Sequence, residues 1–233
     1  MTARIPVKIS KRHARVVAVI ASRPDLHRAL RMANPPDLFE LRLDHLLGCL
    51  DEVEKKISIL PAPLIITARH PAEGGANRLS SQRRCDLLRR FLRHARYVDV
   101  ELRSAKALRP VLALARKRKT GRIISFHELD DTPSVRVLKS KARSAKSRGA
   151  DIFKVASRTD TPAQLARLLD FAASEDVDLA RSTMGMGKLG ALSRIVLAQL
   201  GSVLIYTSLH QPKVEGQLSI KQLRSALSRL KII

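Results

Sequence analysis

Residues 122–157, RIISFHELDDTPSVRVLKSKARSAKSRGADIFKVAS, place an apolar run, an amphipathic run and a second apolar run in succession. RIISFHE (122–128) and DIFKVAS (151–157) have the length and apolar content of buried strands, and between them leucine, valine and alanine recur at helical spacing over 134–148. The same alternation extends outward in both directions. Further strands are read at 15–22, 38–44, 63–69, 97–102, 177–185 and 202–209, with helices near 24–33, 49–59, 80–96, 104–119, 161–175, 188–200 and 219–230. Ser104, Thr132 with Pro133, and Thr161 with Pro162 are read as start signals for the fourth, fifth and sixth helices. Eight strand–helix units in a chain of 233 residues predict an α/β fold, a parallel (β/α)8 TIM barrel, as a single domain over 1–233. Residues 1–14 precede the first strand and are expected to cap the barrel bottom. No glycine-rich phosphate-binding motif follows the first strand, which argues against a nucleotide-binding sheet.

At 45% hydrophobic, the chain has enough apolar material for one large core. No apolar run approaches the ~18 residues of a membrane span, and the basic start MTARIPVKISKRHAR lacks the apolar stretch of a secretory signal. Cys49 and Cys85 form neither a CxxC pair nor a cluster with histidine, which argues against a metal site and for a reducing, cytoplasmic compartment. Forty-four Lys and Arg against 21 Asp and Glu give a net charge of +23, which raises nucleic-acid binding as a hypothesis. Position weakens it. The basic residues of 83–122 and 136–148 interleave with leucine and alanine at helical spacing, so they read as solvated faces of amphipathic helices. With aromatics at 3% and no tryptophan, stacking platforms for bases are scarce. Nucleic acid is therefore not the expected partner, although a basic barrel bound to a polyanion stays as the competing reading.

Side chains alternate across a strand, so one parity of each barrel strand faces the interior and the other faces the helices. Polar residues keep to one parity: Glu40, Arg42 and Asp44; Thr67 and Arg69; Asp99 and Glu101; Ser125 and His127; and Lys154 alone. The apolar parity docks on helices, so the charged parity points inward. Burying those charges unpaired costs several kcal/mol per ion, so they must neutralise one another or a ligand. Asp44, Asp99 and Glu101 are read as a structural ion-pair lattice. Arg69, His127 and Lys154 are read as functional, being at or near the carboxyl ends of their strands, where barrel enzymes assemble their sites. Lys154, among apolar neighbours, is the candidate nucleophile, because desolvation frees an amine to attack a ketone. Glu73, in the loop RHPAEGG, is placed to orient an imidazole. Arg194 is a candidate for a bidentate pair with a substrate carboxylate, and Met184 and Met186 are read first as packing residues.

In the order FELRLD, TARHPAEGG, SFHE, FKVA, MGMGKLGALSR and EGQLS, these motifs span nearly the whole chain and resemble the signature of the type I 3-dehydroquinate dehydratases. Those are Schiff-base-forming enzymes of the shikimate pathway to chorismate and the aromatic amino acids. The resemblance implies that Lys154 forms an imine with the C3 ketone of 3-dehydroquinate, an anionic small molecule, that His127 is the general acid and base, and that Glu73 orients His127. It implies further that Arg194 holds the substrate carboxylate. Glu40, Arg42, Arg69 and Gln217 would surround its hydroxyls and ketone, and Met184 and Met186 would pack on its ring. No metal or organic cofactor is implied, and a homodimer is. One departure stands out: where the family usually has Ser-x-Pro-Gly-Gln, this chain has Lys213-Val-Glu-Gly-Gln217. Lys213 is assigned to the substrate in place of the serine, and Glu215 replaces the proline in the loop expected to close the site. A different Schiff-base barrel, such as an aldolase, would not need the EGG and MGxxGxxSR elements.

Overall fold

The computed structural model describes residues 14–212 and 214–229. In chain order the elements are β1 (Arg15–Ile20), α1 (Arg23–Leu30), β2 (Leu38–Arg42), α2 (Leu50–Lys56), β3 (Leu64–Thr67), α3 (Ser81–Phe91), β4 (Ala95–Glu101) and α4 (Arg109–Lys117), then β5 (Gly121–Glu128), α5 (Val135–Ser147), β6 (Ile152–Arg158), α6 (Pro162–Ala173), β7 (Ala180–Met186), α7 (Gly190–Gln199), β8 (Leu204–Ser208) and α8 (Ile220–Arg229). The strands form one parallel eight-stranded sheet in the order β7-β6-β5-β4-β3-β2-β1-β8, which curls into a (β/α)8 barrel as expected. The seam between β7 and β8 is stitched rather than laddered. Val203 N donates to Arg181 O at 2.8 Å, the Ser202 hydroxyl accepts from Thr183 N at 3.0 Å, and the Ser182 hydroxyl donates to Leu204 O at 3.0 Å.

Strand parity divides the apolar residues into two cores. Ala18, Ile20, Phe39, Leu41, Ile66, Val98, Val100, Ile124, Phe153 and Val155 face outward into the layer shared with the helices. Val17, Leu38, Ile65, Tyr97, Ile123, Ile152 and Leu204 fill the barrel's interior early in their strands. Above that apolar floor the same parity turns polar: Glu40, Thr67, Asp99, Ser125 and Lys154 are all buried. Much of the basic surplus lies on outer helix faces. In α5, Leu138, Ala142 and Ala145 are buried while Arg143 and Lys146 are exposed, and residues 116–119, at and just beyond the end of α4, are all exposed. Among the described residues no helix is long and apolar enough to cross a membrane.

Two helix starts differ from the sequence reading. α4 begins at Arg109 after Leu108 without a side-chain cap, and Ser104 lies in a preceding short turn where its hydroxyl accepts from Arg84 Nη1. Ser134, not Thr132, caps α5; the buried Thr132 hydroxyl instead bonds the Arg158 carbonyl and Ser157 at the end of β6. Thr161 does cap α6, in a reciprocal box with Gln164. The seventh strand starts at Ala180, three residues later than read, because the chain turns tightly just before it, with Leu179 N donating to Val177 O at 2.8 Å. The expected cap over 1–14 falls, except for Ala14, outside the described residues.

Candidate active site

Lys154 is the third residue of β6, midway along the strand rather than at its end, and its long side chain rises inside the barrel. It is not alone. Its Nζ lies 2.9 Å from Asp99 Oδ2 and 3.5 Å from Glu40 Oε1, and 3.9 Å from the centroid of the Tyr206 ring. The isolation read from IFKVAS holds only along the strand, because these partners come from three other strands. Asp99 therefore belongs to the site as well as to the lattice. Burial alone would raise its carboxyl, but Arg69 and Lys154 outweigh burial and hold it well below the usual carboxylate range. Arg69 in turn donates to Asp99 at 2.9 Å and to the Ser125 hydroxyl at 2.7 Å, and the Thr67 hydroxyl donates to Glu40 at 2.8 Å.

Asp44 and Glu101 are structural, as read. Asp44 pairs with Arg42 and accepts the backbone N–H groups of Arg69 and Ala76, fastening the loop after β3 to the end of β2. Glu101 takes Arg84 from α3 on one oxygen and the His70 N–H on the other. In that loop Gly75 passes so close to the Arg69 carbonyl that a Cβ would collide with it. The tight path delivers Glu73 inward. Glu73 Oε2 accepts both from the backbone N–H of His127, at 3.0 Å, and from its Nδ1, at 2.9 Å. With Glu73 ionised, that pairing puts the proton on Nδ1 and leaves the Nε2 lone pair free. Burial pushes the Glu73 carboxyl up to about 7 against the pull of Arg69. Burial, reinforced by Arg69 and Lys154, drives the His127 imidazole well below its ordinary value, so it is neutral at pH 7.

Lys154, His127, Glu73, Glu40, Arg42, Arg69, Met184, Met186, Arg194 and Gln217 all line one cavity of about 120 Å3. Arg194 is the most telling of them. It is buried, its Nη1 donates to the carbonyls of Gly185, Gly190 and Gly216 at 2.7–2.8 Å, and among the described residues no carboxylate pairs with it. Burial alone pushes its guanidinium down, to about 10, which leaves it charged at neutral pH. A buried, charged group without a counter-ion is costly, so the cavity is built to receive an anion. Lys213 lies outside the described residues; Glu215, at the family's proline position, pairs with Arg158 at 3.0 Å. Tyr206, Thr67, Ser125 and Asp99 were not assigned to the site from sequence. Inward parity was the available signal for each, but parity does not name a partner.

Residues 13–233 match the family model described as type I 3-dehydroquinase. The chain belongs to that family. It is accordingly an enzyme of the dehydratase class, a lyase. It is 33% identical over 208 residues to the 3-dehydroquinate dehydratase of Shouchella clausii, covering 84% of this chain and 81% of that protein. A 3-dehydroquinate dehydratase from Pyrococcus abyssi is also 33% identical, over 200 residues, with 83% and 87% covered. The crystal structure of the Geobacillus kaustophilus 3-dehydroquinate dehydratase superposes with a TM-score of 0.84 at 25% identity, over 94% of this chain and 91% of that one.

Proposed function

We propose that this dehydroquinase converts 3-dehydroquinate to 3-dehydroshikimate through an imine on Lys154, within the shikimate pathway. The observation that carries the reading is the shared cavity: a lysine, a neutral histidine oriented by a carboxylate, and a buried arginine with no counter-ion among the described residues. Arg194 receives the substrate carboxylate, while Arg42, held flat by Asp44, and Gln217 meet its hydroxyls. Met184 and Met186 pack on the ring.

Lys154 attacks the C3 ketone as the free amine, the proton it gives up passes through His127 Nε2 to the carbinolamine hydroxyl, and departure of that hydroxyl as water leaves a protonated imine. That cation acidifies the neighbouring C2–H bond. His127 Nε2 takes the proton, the electron pair moves into the enamine, and the same nitrogen returns a proton to the hydroxyl that departs as water. Hydrolysis of the conjugated imine releases the enone and restores the amine. Glu73 keeps Nδ1–H engaged throughout, stabilising the imidazolium that forms between the two proton transfers. Asp99 and Glu40 hold the nitrogen in place, and the Tyr206 ring face favours it while it is cationic.

Incubation with dehydroquinate and borohydride, followed by intact-mass and peptide measurement, tests the reading. The expected product is one reduced adduct on Lys154. Lys154→Ala loses both the adduct and growth of enone absorbance, while His127→Ala still traps an adduct and turns over ~10²–10⁴-fold more slowly. Absence of a borohydride-trapped adduct in an active enzyme would overturn the imine.

A further inference from the structure

The loop from β8 to α8 carries Val214 and Gln217 to the cavity wall, and its hold on the barrel comes from outside the loop itself. Arg158, the last residue of β6, sets its Nε 2.5 Å from Asp160 Oδ2 and its Nη2 3.0 Å from Glu215 Oε2. Asp160 Oδ1 accepts the Lys188 N–H at 2.8 Å, and the Glu215 carbonyl accepts the Gly187 N–H at 3.0 Å. One arginine thus ties together three neighbouring segments at the carboxyl end of the barrel: those after β6, β7 and β8. Beside the ion pair, Gly216 adopts φ +74° and lies against Gly187 and Gly190 too closely for a Cβ. Its carbonyl accepts from Arg194 Nη1 at 2.8 Å, so the placement of this loop also sets the placement of the buried guanidinium.

We propose that Arg158 and Glu215 form a clasp that positions the β8–α8 loop over the cavity. They are positioning residues for substrate binding, acting through Gln217 and Arg194 without themselves lining the cavity. The inference rests on the reading of that cavity as the dehydroquinate site. Both partners are partly exposed, the side chains of Arg158 and Glu215 at 34% and 55%, so salt screens the clasp. A tether of this kind fixes where Val214 and Gln217 stand at the cavity wall and leaves Lys154 and His127 untouched, so its loss belongs in KM.

Glu215→Gln and Arg158→Gln are expected to raise KM for dehydroquinate about 2–5-fold, the range of a partly exposed ion pair, with kcat within about twofold. That KM ratio to wild type should shrink toward one at about 1 M salt, where the wild-type clasp is itself screened. The charge-swapped Arg158→Glu/Glu215→Arg protein, carrying Asp160→Asn so that no carboxylate faces the new glutamate and the Lys188 N–H keeps its acceptor, should recover most of the lost affinity. In the ligand-free proteins, amide exchange at Gly187 and Gln217 should speed up severalfold in Glu215→Gln and slow again in the swap. Unchanged KM and exchange in the single variants, or a swap as impaired as either single at equal thermal stability, would overturn the clasp. Failure of the wild type to turn over dehydroquinate would instead sink the substrate reading, while the exchange measurement still decides the clasp.

Discussion

At Glu73, burial and catalysis pull in opposite directions. Its carboxylate must be ionised to hold the Nδ1–H of His127, yet burial raises its pKa to about 7. Between the ordinary carboxylate range and that value the folded state binds more protons than the unfolded state, so stability falls as pH rises through the window. Glu73→Gln removes the ionisation. It should therefore raise thermal stability relative to wild type at pH 8, by about 2–3 kcal/mol at most, and change it little near pH 5. The same substitution should lower kcat and abolish the acid limb of kcat/KM that the raised Glu73 carboxyl predicts for wild type near pH 7. Calorimetry and a pH–rate profile check the pair of outcomes; equal stability changes at both pH values would refute the account. His127 has the opposite sign: its folded pKa is depressed, so the stability it contributes is present above its ordinary value and declines as pH falls below it.

β4 shows how an element distributes charge that its residues only supply. Asp99 and Glu101 share the inward parity, but Asp99 turns to Arg69 and Lys154 while Glu101, at the strand's end, meets Arg84 from α3. Arg84 is fully buried and also donates to the Ala68 carbonyl and the Ser104 hydroxyl, pinning α3 to the ends of β3 and β4. Arg84→Met would remove the nearest counter-ion of the buried Glu101, leaving it the longer contact to Arg69 at 3.4 Å and the His70 N–H, and should cost about 3 kcal/mol in denaturant unfolding, the low end of the penalty for breaking a buried pair from one side. The basic sequence around Arg84 reads as a solvated helix face, and at this position the face is wrong. A cysteine and two leucines at helical spacing mark Cys85, Leu87 and Leu88 as buried, but nothing in that pattern announces that an arginine turns inward with them. The helix starts carry a related lesson. Thr161 and Gln164 satisfy each other locally and could be read directly, whereas Thr132 has its hydroxyl claimed by the end of β6, leaving Ser134 to cap α5.

Across the whole molecule, barrel closure depends on a seam with few ladder bonds. The Ser202 hydroxyl accepts from Thr183 N at 3.0 Å, in place of a strand carbonyl. Ser202→Ala would leave that buried N–H without its acceptor and should destabilise the barrel by about 1–3 kcal/mol. Amide exchange should accelerate first along β7 and β8; uniform acceleration around the barrel would rule out a local weak seam.

The sequence by itself determined the (β/α)8 architecture, the inward parity of the charged residues and the motif order that marks the family, because periodicity and local chemistry are properties of adjacent residues. It also marked Lys154, His127, Glu73 and Arg194 as a set. Only the tertiary structure decided that Lys154 rests between Asp99, Glu40 and Tyr206, that Arg194 has carbonyls but, among the described residues, no carboxylate beside it, and that Glu215 reaches Arg158. Each of those facts depends on which strands stand next to one another across the barrel and how far a side chain rises from its layer. Hydrogen bonds and ion pairs act over a few ångströms between residues dozens of positions apart, so closure of the barrel is what brings them into being.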